Sequence, residues 1–541
     1  MRFHYDDKRL WKSSAQRSAA MGLNGMVATS QGLASLAGQR ILAKGGNAVD
    51  AAVAMAAVLN VVEPHSVGIG GDAFALIYLA DHKKVLGMNA SGRAPKEATP
   101  IAFKERGLTK MPDRGVYSIT VPGALAGWYE AQNLYGKLRF DEVLEPAIVY
   151  AQDGFPVTEV IAGEWKTQED VLIKNKGAAE TFLINGKAPK PGEVFRNSAL
   201  AAAFIKIAEQ GPDVLYGGEL GEIIVKEIRN LGGLMSLADL TNHKVDWVDP
   251  ISVDYRGYQV LELPPNGQGV TALEILNILS GYDVGSMKPF TAEFLHVLIE
   301  AIKIAFADRN YYIADPYFKN IPVTELLSME YRDACIKAIN PDKASFYPSP
   351  HYKHSDTIYA AAVDKYGNAA SFISSIFIPF GSGIVAGGTG IALHSRGSSF
   401  SLDPDHPNCV EPCKRPMHTI IPGMLCKDNK FLCAFGVMGG DMQPQGHAQF
   451  LTNVIDFGMN LQEAVDAPRI RVMNGKDVYF ENGVPEQVVK VLAEKGHGIH
   501  GEEEPVNMVG GGQAVYRSPD GPPHVLIGGS DRRKDGAAIG Y

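Results

Sequence analysis

The chain has 541 residues, of which 45% are hydrophobic and 21% are charged, so it can bury a large core as a globular protein. Its formal net charge is -9, and it contains no dense run of lysine and arginine. Nucleic acid is therefore excluded as an expected partner, because phosphate contacts need concentrated positive charge.

The sequence predicts no contact with a membrane. Its first residues, MRFHYDDKRLWKSSAQR, are charged throughout and lack the apolar core and small-residue cleavage site of a signal peptide. The most apolar stretch, Ala51 to Val62, is shorter than the roughly 20 residues that a membrane-spanning helix needs. We therefore expect a cytoplasmic protein.

The first predicted elements lie between Gly25 and Asn60. This segment begins as a strand, becomes helical, turns at Gly45-Gly46 and continues as an alanine-rich helix capped by Asn47. A glycine-rich turn, GIGGD, then leads into a hairpin of strands Ala73 to Leu79 and Lys84 to Asn89. Because this turn precedes a strand and has no lysine next to a serine or threonine, tight-turn geometry is favoured over a phosphate-binding loop.

The middle of the chain is predicted to be mainly helical and then irregular. Between Gly123 and Asp308 the apolar spacing predicts helices separated by glycine and proline turns, among them Leu200 to Glu209, Ile223 to Asn230, Ala272 to Ser280 and Ala292 to Asp308. From Pro316 to Ser355 the chain becomes irregular and polar, which is typical of an exposed and poorly ordered segment. Such a segment could be cut.

Beyond Thr357 the pattern changes mainly to strands. TIYAAAVD and AASFISSIF flank a turn from Asp364 to Asn368 and predict a hairpin, and KFLCAFGVMGG predicts a further strand that ends in a glycine turn. Three more helices are predicted, at Met442 to Phe457, Asn460 to Ala467 and Pro485 to Lys495.

The cysteine content does not predict a disulfide scaffold. A chain of this length has only five, an odd count, at Cys335, Cys409, Cys413, Cys426 and Cys433. A reducing compartment with structural or incidental cysteines is the favoured interpretation. A zinc site built from Cys409 and Cys413 with His406 or His418 is the weaker alternative.

Thr357 is the first candidate for chemistry, because it follows a polar His-Ser-Asp sequence and opens a strand of small residues. A threonine hydroxyl is a poor nucleophile unless a base activates it, and a free α-amine on the same residue can be that base. Cleavage before Thr357 would create this amine. The alternative is an ordinary strand threonine, since β-branched residues favour strands.

Several motifs extend this observation along the chain, including GMVATSQGLASLAGQRILAKGGNAVDAAVA, EPHSVGIGGDAF, HVLIEAIKIAFADR, SDTIYAAAVDKYGNAAS, CKRPMHTIIPGM, GVMGGD and GGSDRRKDGAAIGY. From about Gly25 to Tyr541 the sequence resembles the gamma-glutamyltransferase family of N-terminal-nucleophile hydrolases. The resemblance implies a four-layer αββα sandwich of the α+β class, made from one self-processing precursor.

The resemblance also implies where the precursor is cut. Thr357 would attack the Asp356 carbonyl and release a large subunit of residues 1–356 and a small subunit of residues 357–541. Both subunits would build one interlocked structural domain. Thr357 would later attack a substrate amide, and the resulting ester would be hydrolysed or transferred to an amine.

Three further residues match the family's catalytic positions. Ser375 corresponds to a hydroxyl that hydrogen-bonds the nucleophile. Gly439 and Gly440 correspond to the pair whose backbone N–H groups form the oxyanion hole, where charge develops on the former carbonyl oxygen. An ordinary strand serine and a plain glycine turn are the alternatives.

The substrate-binding residues depart from the family pattern. Phe377 replaces an asparagine on the strand after the nucleophile, and Arg396 and Ser399 replace the amine-binding glutamine and aspartate. An arginine repels an ammonium group and attracts a carboxylate. For Arg396 a surface charge or a structural partner of a carboxylate is the alternative.

The residues that would hold the substrate carboxylate differ too. Ser91 stands at the place of the family's arginine, although Arg93 is close by, and His418 and Thr419 replace a serine pair. We therefore predict that Arg93, Arg396, His418 and Thr419 bind substrate, since all four side chains can donate hydrogen bonds. Arg93 could instead be structural, and His418 could be a satisfied core histidine.

These departures make glutathione a doubtful substrate while the amide-cleaving residues are kept. We expect an amide-cleaving hydrolase or acyltransferase, without metal or organic cofactor, whose substrate is a small amide with a carboxylate-bearing acyl group, as in glutaryl or cephalosporin acylases and oxamate amidohydrolases. The expected partners are this amide and the two subunits, with a homodimer left open. A true gamma-glutamyltransferase and an uncleaved, non-enzymatic binding protein are the alternatives.

Overall fold

The computed structural model describes residues 17–347, 356–501, 508–519 and 524–541. In these ranges the α-helices are α1 (Gly32–Ala43), α2 (Ala48–Val62), α3 (Pro100–Glu105), α4 (Ala124–Tyr135), α5 (Phe140–Asp153), α6 (Glu159–Lys166), α7 (Glu169–Leu172), α8 (Lys176–Phe182), α9 (Ser198–Gln210), α10 (Asp213–Tyr216), α11 (Glu219–Asn230), α12 (Leu237–Thr241), α13 (Gly269–Ser280), α14 (Ala292–Tyr312), α15 (Val323–Leu326), α16 (Met329–Ala338), α17 (Met442–Ile455), α18 (Leu461–Asp466) and α19 (Glu486–Glu494). Short 3-10 turns occur at Val116–Ser118, Val284–Ser286 and Arg396–Ser399.

The strands of the same ranges are β1 (Ala20–Gly22), β2 (Gly25–Thr29), β3 (Asp72–Leu79), β4 (Lys84–Asn89), β5 (Phe155–Pro156), β6 (Val194–Phe195), β7 (Asp246–Val248), β8 (Ile251–Tyr255), β9 (Tyr258–Glu262), β10 (Asp356–Asp364), β11 (Ala369–Phe377), β12 (Ile384–Val385), β13 (Ala392–Leu393), β14 (Gly423–Lys427), β15 (Lys430–Val437), β16 (Ile470–Val472), β17 (Asp477–Phe480), β18 (Gly498–His500), β19 (Gly512–Arg517), β20 (Leu526–Ser530) and β21 (Ala537–Gly540).

Two seven-stranded antiparallel sheets form the centre of the fold. The first sheet has the order β21-β2-β10-β11-β3-β4-β7, and the second has the order β1-β20-β19-β15-β14-β9-β8. Both sheets contain strands from before and after residue 357. Neither half of the chain therefore forms a complete sheet alone.

The two sheets pack face to face, and helices cover both outer faces. The core between the sheets joins Phe74, Tyr359 and Ile373 of the first sheet to Met424 and Val515 of the second. Helices α1, α2 and α4 pack on the first sheet, and α13, α17 and α18 pack on the second. Helix α5 lies outside α2, and α14 lies against α13. The predicted four-layer αββα sandwich is confirmed.

Helix α2 is packed directly behind the strand pair β10–β11. Every residue of α2 is buried, and its many alanines let the helix axis come close to the sheet. The side chain of Asn47 accepts hydrogen bonds from the backbone N–H groups of Val49 and Asp50, and Asp50 accepts one from the N–H of Asn47. The predicted cap is confirmed as a full capping box.

The predicted helices and hairpins agree with the structure except in two segments. Strands β8 and β9 form a hairpin inside the stretch predicted to be mainly helical. Its turn residues Arg256 and Gly257 have φ of 57° and 76°, which is typical of a tight hairpin turn, so the alternation in VDYRGYQVLE was the missed signal. Helices α15 and α16 lie in the stretch predicted to be irregular, and its last residues, 348–355, lie outside the described residues.

Two further expectations concern membranes and cysteines. In the described ranges, no helix combines the length and the apolar character that crossing a membrane requires. All five cysteines are free thiols, and Cys413 is exposed while the other four are buried.

Candidate active site

Thr357 is the second residue of β10 and is fully buried. The pairing of β10 with β11 is irregular at this point, because Asp356 pairs with Phe377 whereas Ile358 pairs with Ser374. Ser375 and Ile376 of β11 therefore both stand opposite Thr357, so β11 has a bulge at this point, and bulges redirect side chains at sheet edges and beside active sites. The peptide bond between Asp356 and Thr357 lies on β10 and faces this bulge.

The Thr357 hydroxyl lies beside the carbonyl that the sequence predicts it to attack. Its Oγ1 donates a hydrogen bond to the Asp356 carbonyl oxygen at 2.7 Å. Ser375 Oγ donates to the same oxygen at 2.8 Å and lies 3.3 Å from Thr357 Oγ1. Ser375 can therefore polarise the carbonyl, and the predicted proximity of Ser375 and Thr357 is observed.

A glycine just before β3 lets the chain come close to the backbone of Ser375. The residue before β3 is Gly71, and a Cβ there would lie 2.4 Å from the Ser375 carbonyl oxygen. Any larger residue would push β11 away from β3. The glycine-rich turn predicted from GIGGD thus serves close backbone approach.

Gly439 and Gly440 lie between β15 and α17. Their φ angles are 110° and 59°, which favour glycine, and the Gly440 carbonyl accepts a hydrogen bond from Gln268 Nε2 at 2.9 Å. Among the described residues, neither glycine N–H has a hydrogen-bond partner. Gln443, in the first turn of α17, reaches Thr357 Oγ1 at 3.5 Å, so this turn is close to the nucleophile.

Arg396 is fully buried between the nucleophile and Thr419. Its Nη1 donates to Thr419 Oγ1 at 2.8 Å, its Nη2 lies 3.4 Å from Ser375 Oγ, and its guanidinium stacks 4.0 Å from the centre of the Phe377 ring. Burial lowers its pKa from 12.5 to about 9, although Asp72 counteracts this shift. No carboxylate of the described ranges forms an ion pair with this buried cation, and its Nε has no partner there.

A cavity of about 420 Å³ is lined by two of the residues that contact Arg396, but not by Arg396 itself. Phe377 and Thr419 line it, together with Arg309, Ser399, Asn408 and Asp441. Thr357 is not part of its wall and stays fully buried in the uncut chain. A substrate in this cavity would therefore touch Phe377 and Thr419, and these two residues contact Arg396.

His418 belongs to a buried pair of histidines instead of the cavity wall. Its Nε2 lies 3.0 Å from Asp72 Oδ2, and His394 Nδ1 lies 3.1 Å from the same oxygen. Burial and the nearby Arg396 lower the pKa of His418 to about 3. Its contacts correspond to the core-histidine alternative, with Asp72 as its partner.

Arg93 is also separated from the other predicted binding residues. It lies 3.4 Å from Asp246 and borders a different cavity of about 330 Å³ with Lys96 and His243. Buried Arg415 donates to the Ser91 carbonyl at 2.9 Å and also pairs with Asp246. These contacts correspond to the structural alternative for Arg93.

Sequence reasoning missed Arg309 and Asp441, which both line the cavity. Arg309 Nη1 contacts Asp441 Oδ1 at 2.5 Å and Gln268 Oε1 at 2.8 Å. The available signals were the arginine that ends HVLIEAIKIAFADR and the aspartate that follows the glycine pair in GVMGGD. These residues join α14 to the glycine turn.

Sequence reasoning also missed a buried ionic group around the predicted cleavage site, which we call the Asp356 cluster: Glu63, His65, Glu164, Asp356 and Lys534. His65 Nε2 lies 2.5 Å from Glu164 Oε2 and 3.3 Å from Asp356 Oδ2, and Lys534 Nζ lies 2.9 Å from Glu164 Oε1. The two sequence signals were EPHSVGIGGDAF and the terminal SDRRKDG. Their histidine and lysine are 469 positions apart, so the sequence gave no hint of a contact.

One other buried group has the composition of a metal site. His296, Glu300 and His497 bring their ligand atoms within 4.8 Å of one another. However, Lys303 Nζ already pairs with Glu300 at 2.5 Å, and the Lys303 charge helps to lower the pKa of His497 to about 3, after burial itself. The Asp356 cluster likewise has Lys534 as its cation. We assign neither group as a metal site.

Known proteins resemble this chain over nearly its whole length. A model of the family described as gamma-glutamyltranspeptidase matches residues 34–541. The chain is 40% identical over 530 residues to the glutathione hydrolase-like YwrD proenzyme of Bacillus subtilis, which covers 96% of this chain and 99% of that protein. It is 36% identical over 537 residues to the acylase ACY 1 proenzyme of a Pseudomonas species, which covers 97% of this chain and 95% of that protein.

A solved structure has the same fold. The crystal structure of cephalosporin acylase from Bacillus halodurans matches with a TM-score of 0.93 and 43% identity, and covers 97% of both chains. These matches extend over nearly the whole chain and confirm the resemblance inferred from the motifs. The chain therefore belongs to the gamma-glutamyltranspeptidase family.

Proposed function

We propose that this protein is a self-processing amidohydrolase that cleaves a small amide through an acyl-Thr357 ester, and that the acyl group of its substrate carries a carboxylate. The relatives named as proenzymes and acylases support this proposal. So does the contact between the Thr357 hydroxyl and the Asp356 carbonyl.

The first reaction is the cut before Thr357. Thr357 Oγ1 attacks the Asp356 carbonyl carbon, the peptide C–N bond breaks, and an ester joins the two residues. Water then hydrolyses this ester, which leaves a carboxylate on Asp356 and a free amine and hydroxyl on Thr357. Residues 1–356 and 357–541 remain together, since both sheets contain strands from each part.

The second reaction uses the amine that the first one creates. The neutral α-amine of Thr357 takes the hydroxyl proton as Oγ1 attacks the substrate carbonyl carbon. The N–H groups of Gly439 and Gly440 donate to the developing oxyanion, and Ser375 keeps the hydroxyl in position. The amine leaving group departs with a proton, and water releases the acid from the ester.

The class of substrate is inferred from the buried guanidinium of Arg396. A buried guanidinium without a carboxylate partner is costly, and a bound anion removes that cost. The stacking on Phe377 and the hydrogen bond to Thr419 keep the planar group oriented toward residues that line the cavity. An acyl chain that ends in a carboxylate satisfies this arrangement, whereas an ammonium group beside Arg396 is repelled.

Intact masses of the purified protein and of Thr357→Ala test the first reaction. Two fragments that meet between Asp356 and Thr357, absent from the variant, are expected. A single uncut chain under all conditions would contradict the proposal and favour the alternative of a non-enzymatic binding protein.

Three p-nitroanilides test the second reaction with the processed protein. Glutaryl p-nitroanilide carries the carboxylate, the gamma-glutamyl compound adds an α-amino group, and the butyryl compound lacks the carboxylate. We expect the highest kcat/KM with the glutaryl compound. Equal turnover of the glutaryl and butyryl compounds would contradict recognition of a carboxylate.

A true gamma-glutamyl hydrolase is the second candidate, and Asp441 is the observation that favours it. The Asp441 carboxylate lines the cavity and could accept an ammonium group, although Arg309 already pairs with it. Faster turnover of the gamma-glutamyl compound than of the glutaryl compound would identify this activity.

A further inference from the structure

We propose that His65, held by Glu164, is a positioning residue for self-cleavage: it keeps the Asp356 carboxyl against the scissile nitrogen and supplies it with the proton that this nitrogen needs on leaving. The inference rests on the proposed self-processing. It assigns a task to the Asp356 cluster, which the substrate reaction does not use.

The side chain and the backbone carbonyl of Asp356 contact different groups of Thr357. The Thr357 backbone N–H donates to Asp356 Oδ1 at 3.0 Å, whereas the Thr357 hydroxyl donates to the Asp356 carbonyl oxygen. The side-chain carboxyl therefore faces the leaving nitrogen and not the attacking hydroxyl. A proton donor at this point is needed because an amide nitrogen leaves poorly without one.

The second carboxyl oxygen of Asp356 faces His65. His65 Nε2 lies 3.3 Å from Asp356 Oδ2, an atom that has no hydrogen bond within the described part of the chain. Both side chains are buried, so water does not compete for this contact. The single proton of His65 Nε2 is shared between Glu164 Oε2 at 2.5 Å and Asp356 Oδ2 at 3.3 Å, so a shift of this proton toward Asp356 supplies that oxygen.

Glu164 and Lys534 hold His65 in place. Glu164 Oε2 contacts His65 Nε2 at 2.5 Å, and its other oxygen accepts from Lys534 Nζ at 2.9 Å. The lysine therefore neutralises Glu164, which leaves His65 as the cation that faces Asp356. Three elements distant in sequence, α6, β10 and the turn after β20, meet at this point.

The charges around His65 favour its protonated form. Burial lowers the pKa of His65, but Asp356 and Glu164 outweigh burial and hold the pKa above the ordinary value of 6.5. Glu63, at the end of α2, also faces this group, and burial raises its pKa to about 7. Lys534 is the remaining charged neighbour, and the Phe380 ring, 6.2 Å from the imidazole, is uncharged.

The proposed step rearranges the peptide bond before Thr357 into an ester. The bond from Thr357 Oγ1 to the Asp356 carbonyl carbon forms while the hydroxyl proton passes to the carbonyl oxygen that it already contacts. As the C–N bond breaks, His65 passes its proton to the Asp356 carboxylate, and this carboxyl passes a proton to the leaving nitrogen. The carbonyl oxygen releases its proton to solvent, and solvent returns one to His65, so the shift from amide to ester is an isomerisation.

The test is the rate of chain cleavage from pH 5 to pH 9, followed by intact mass after cell-free synthesis of the precursor. In the wild-type chain the rate should fall as the pH rises past the pKa of His65. His65→Asn, which cannot carry a charge, should slow cleavage roughly 100-fold at neutral pH and remove this decline, as general acids typically contribute 10²–10⁴-fold.

Glu164→Gln tests whether the charge of His65 matters. If His65 were only structural, this substitution would not shift the pH dependence of the cleavage rate. It keeps the hydrogen bond but removes a charge that raises the pKa of His65, so the decline in rate should move to lower pH. His447→Asn is the matched control, because His447 pairs with buried Glu262 at 2.6 Å in the same way but is not part of the Asp356 cluster. It should leave the pH profile unchanged.

The outcomes separate this inference from the proposed function. If the wild-type chain is never cut, the proposed self-processing fails. If the wild-type chain is cut and both His65→Asn and Glu164→Gln keep its rate and pH profile, self-processing stands and the role of His65 is wrong. If His65→Asn does not fold, the shift expected for Glu164→Gln decides.

Discussion

Replacement of Arg396 by methionine should cost activity without a matching loss of stability. Methionine keeps a flexible side chain of similar length but removes the charge. The pKa of about 9, against 12.5 in water, corresponds to roughly 5 kcal/mol of unfavourable burial at about 1.4 kcal/mol per pH unit. The hydrogen bond to Thr419 and the stacking on Phe377 offset roughly 2 kcal/mol each. The free energy of unfolding should therefore change by less than about 2 kcal/mol.

The activity of Arg396→Met should depend on the substrate. A carboxylate left buried without its partner costs about 3–5 kcal/mol, which is roughly 10²–10⁴-fold in kcat/KM for glutaryl p-nitroanilide. Butyryl p-nitroanilide has no carboxylate, so its kcat/KM should change by less than about threefold, well under 1 kcal/mol.

Two assays check these values. Urea unfolding compares Thr357→Ala with Thr357→Ala/Arg396→Met, so that both chains stay uncut, and steady-state kinetics uses processed protein whose masses confirm the cut. Equal losses for the two anilides would refute the assignment of Arg396 to the carboxylate. A drop of more than about 3 kcal/mol in the free energy of unfolding would indicate a structural ion partner instead.

Further substitutions test neighbouring parts of the site. Ser375→Ala removes the donor 2.8 Å from the scissile carbonyl and should slow self-cleavage by about 10²-fold in a mass time course. Gly439→Ala places a side chain at φ 110° and should lower kcat of the processed protein tenfold or more, since strain of about 1–3 kcal/mol displaces the N–H. Burial raises the pKa of Glu63 from 4.5 to about 7, so its stabilisation is complete below pH 4.5 and is lost as the pH rises through 7. Glu63→Gln in the Thr357→Ala precursor should therefore remove roughly 3 kcal/mol of the decline in unfolding free energy over that range.

Each of these expectations has its own contrary result. Ser374→Ala is the control for Ser375, because the Ser374 hydroxyl donates to the Asp72 carbonyl; equal slowing by both would indicate a general effect on β11. An unchanged kcat in Gly439→Ala would remove this glycine from the oxyanion hole. If the unfolding free energy declines equally with and without Glu63, then Glu63 does not titrate in this range.

Local patterns were sufficient for most of the fold. The alternation in the two strands around the Asp364 to Asn368 turn and the small-residue run of α2 act over short distances, so a hairpin and a buried helix follow from them directly. The capping box at Asn47 is equally local. The missed β8–β9 hairpin was also encoded locally, in a tight turn at Arg256-Gly257 that was not recognised.

The candidate nucleophile and its hydroxyl partner also follow from sequence. Thr357 and Ser375 lie on consecutive strands joined by a short turn, so pairing of those strands brings the two together. Motif resemblance located Gly439 and Gly440, and the positive φ angles of both residues explain why glycine is needed.

The tertiary structure decided which charged residues face the site. Arg93 and Arg396 were both predicted to bind substrate, yet Arg93 has the carboxylate of Asp246 as a partner, whereas Arg396 has no carboxylate partner among the described residues. The sequence shows only that His418 can form hydrogen bonds, whereas the folded structure shows that its partner is Asp72.

The Asp356 cluster also exists only because of the tertiary structure. It gathers His65 and Lys534 from the turns after α2 and β20, Glu164 from α6 and Asp356 from β10. Sequence alone determined the layers, the strand that carries Thr357 and the family, because those depend on short-range spacing and on motifs. Packing decided the electrostatics, because the cost of a buried charge depends on partners that only the folded chain brings within a few ångströms.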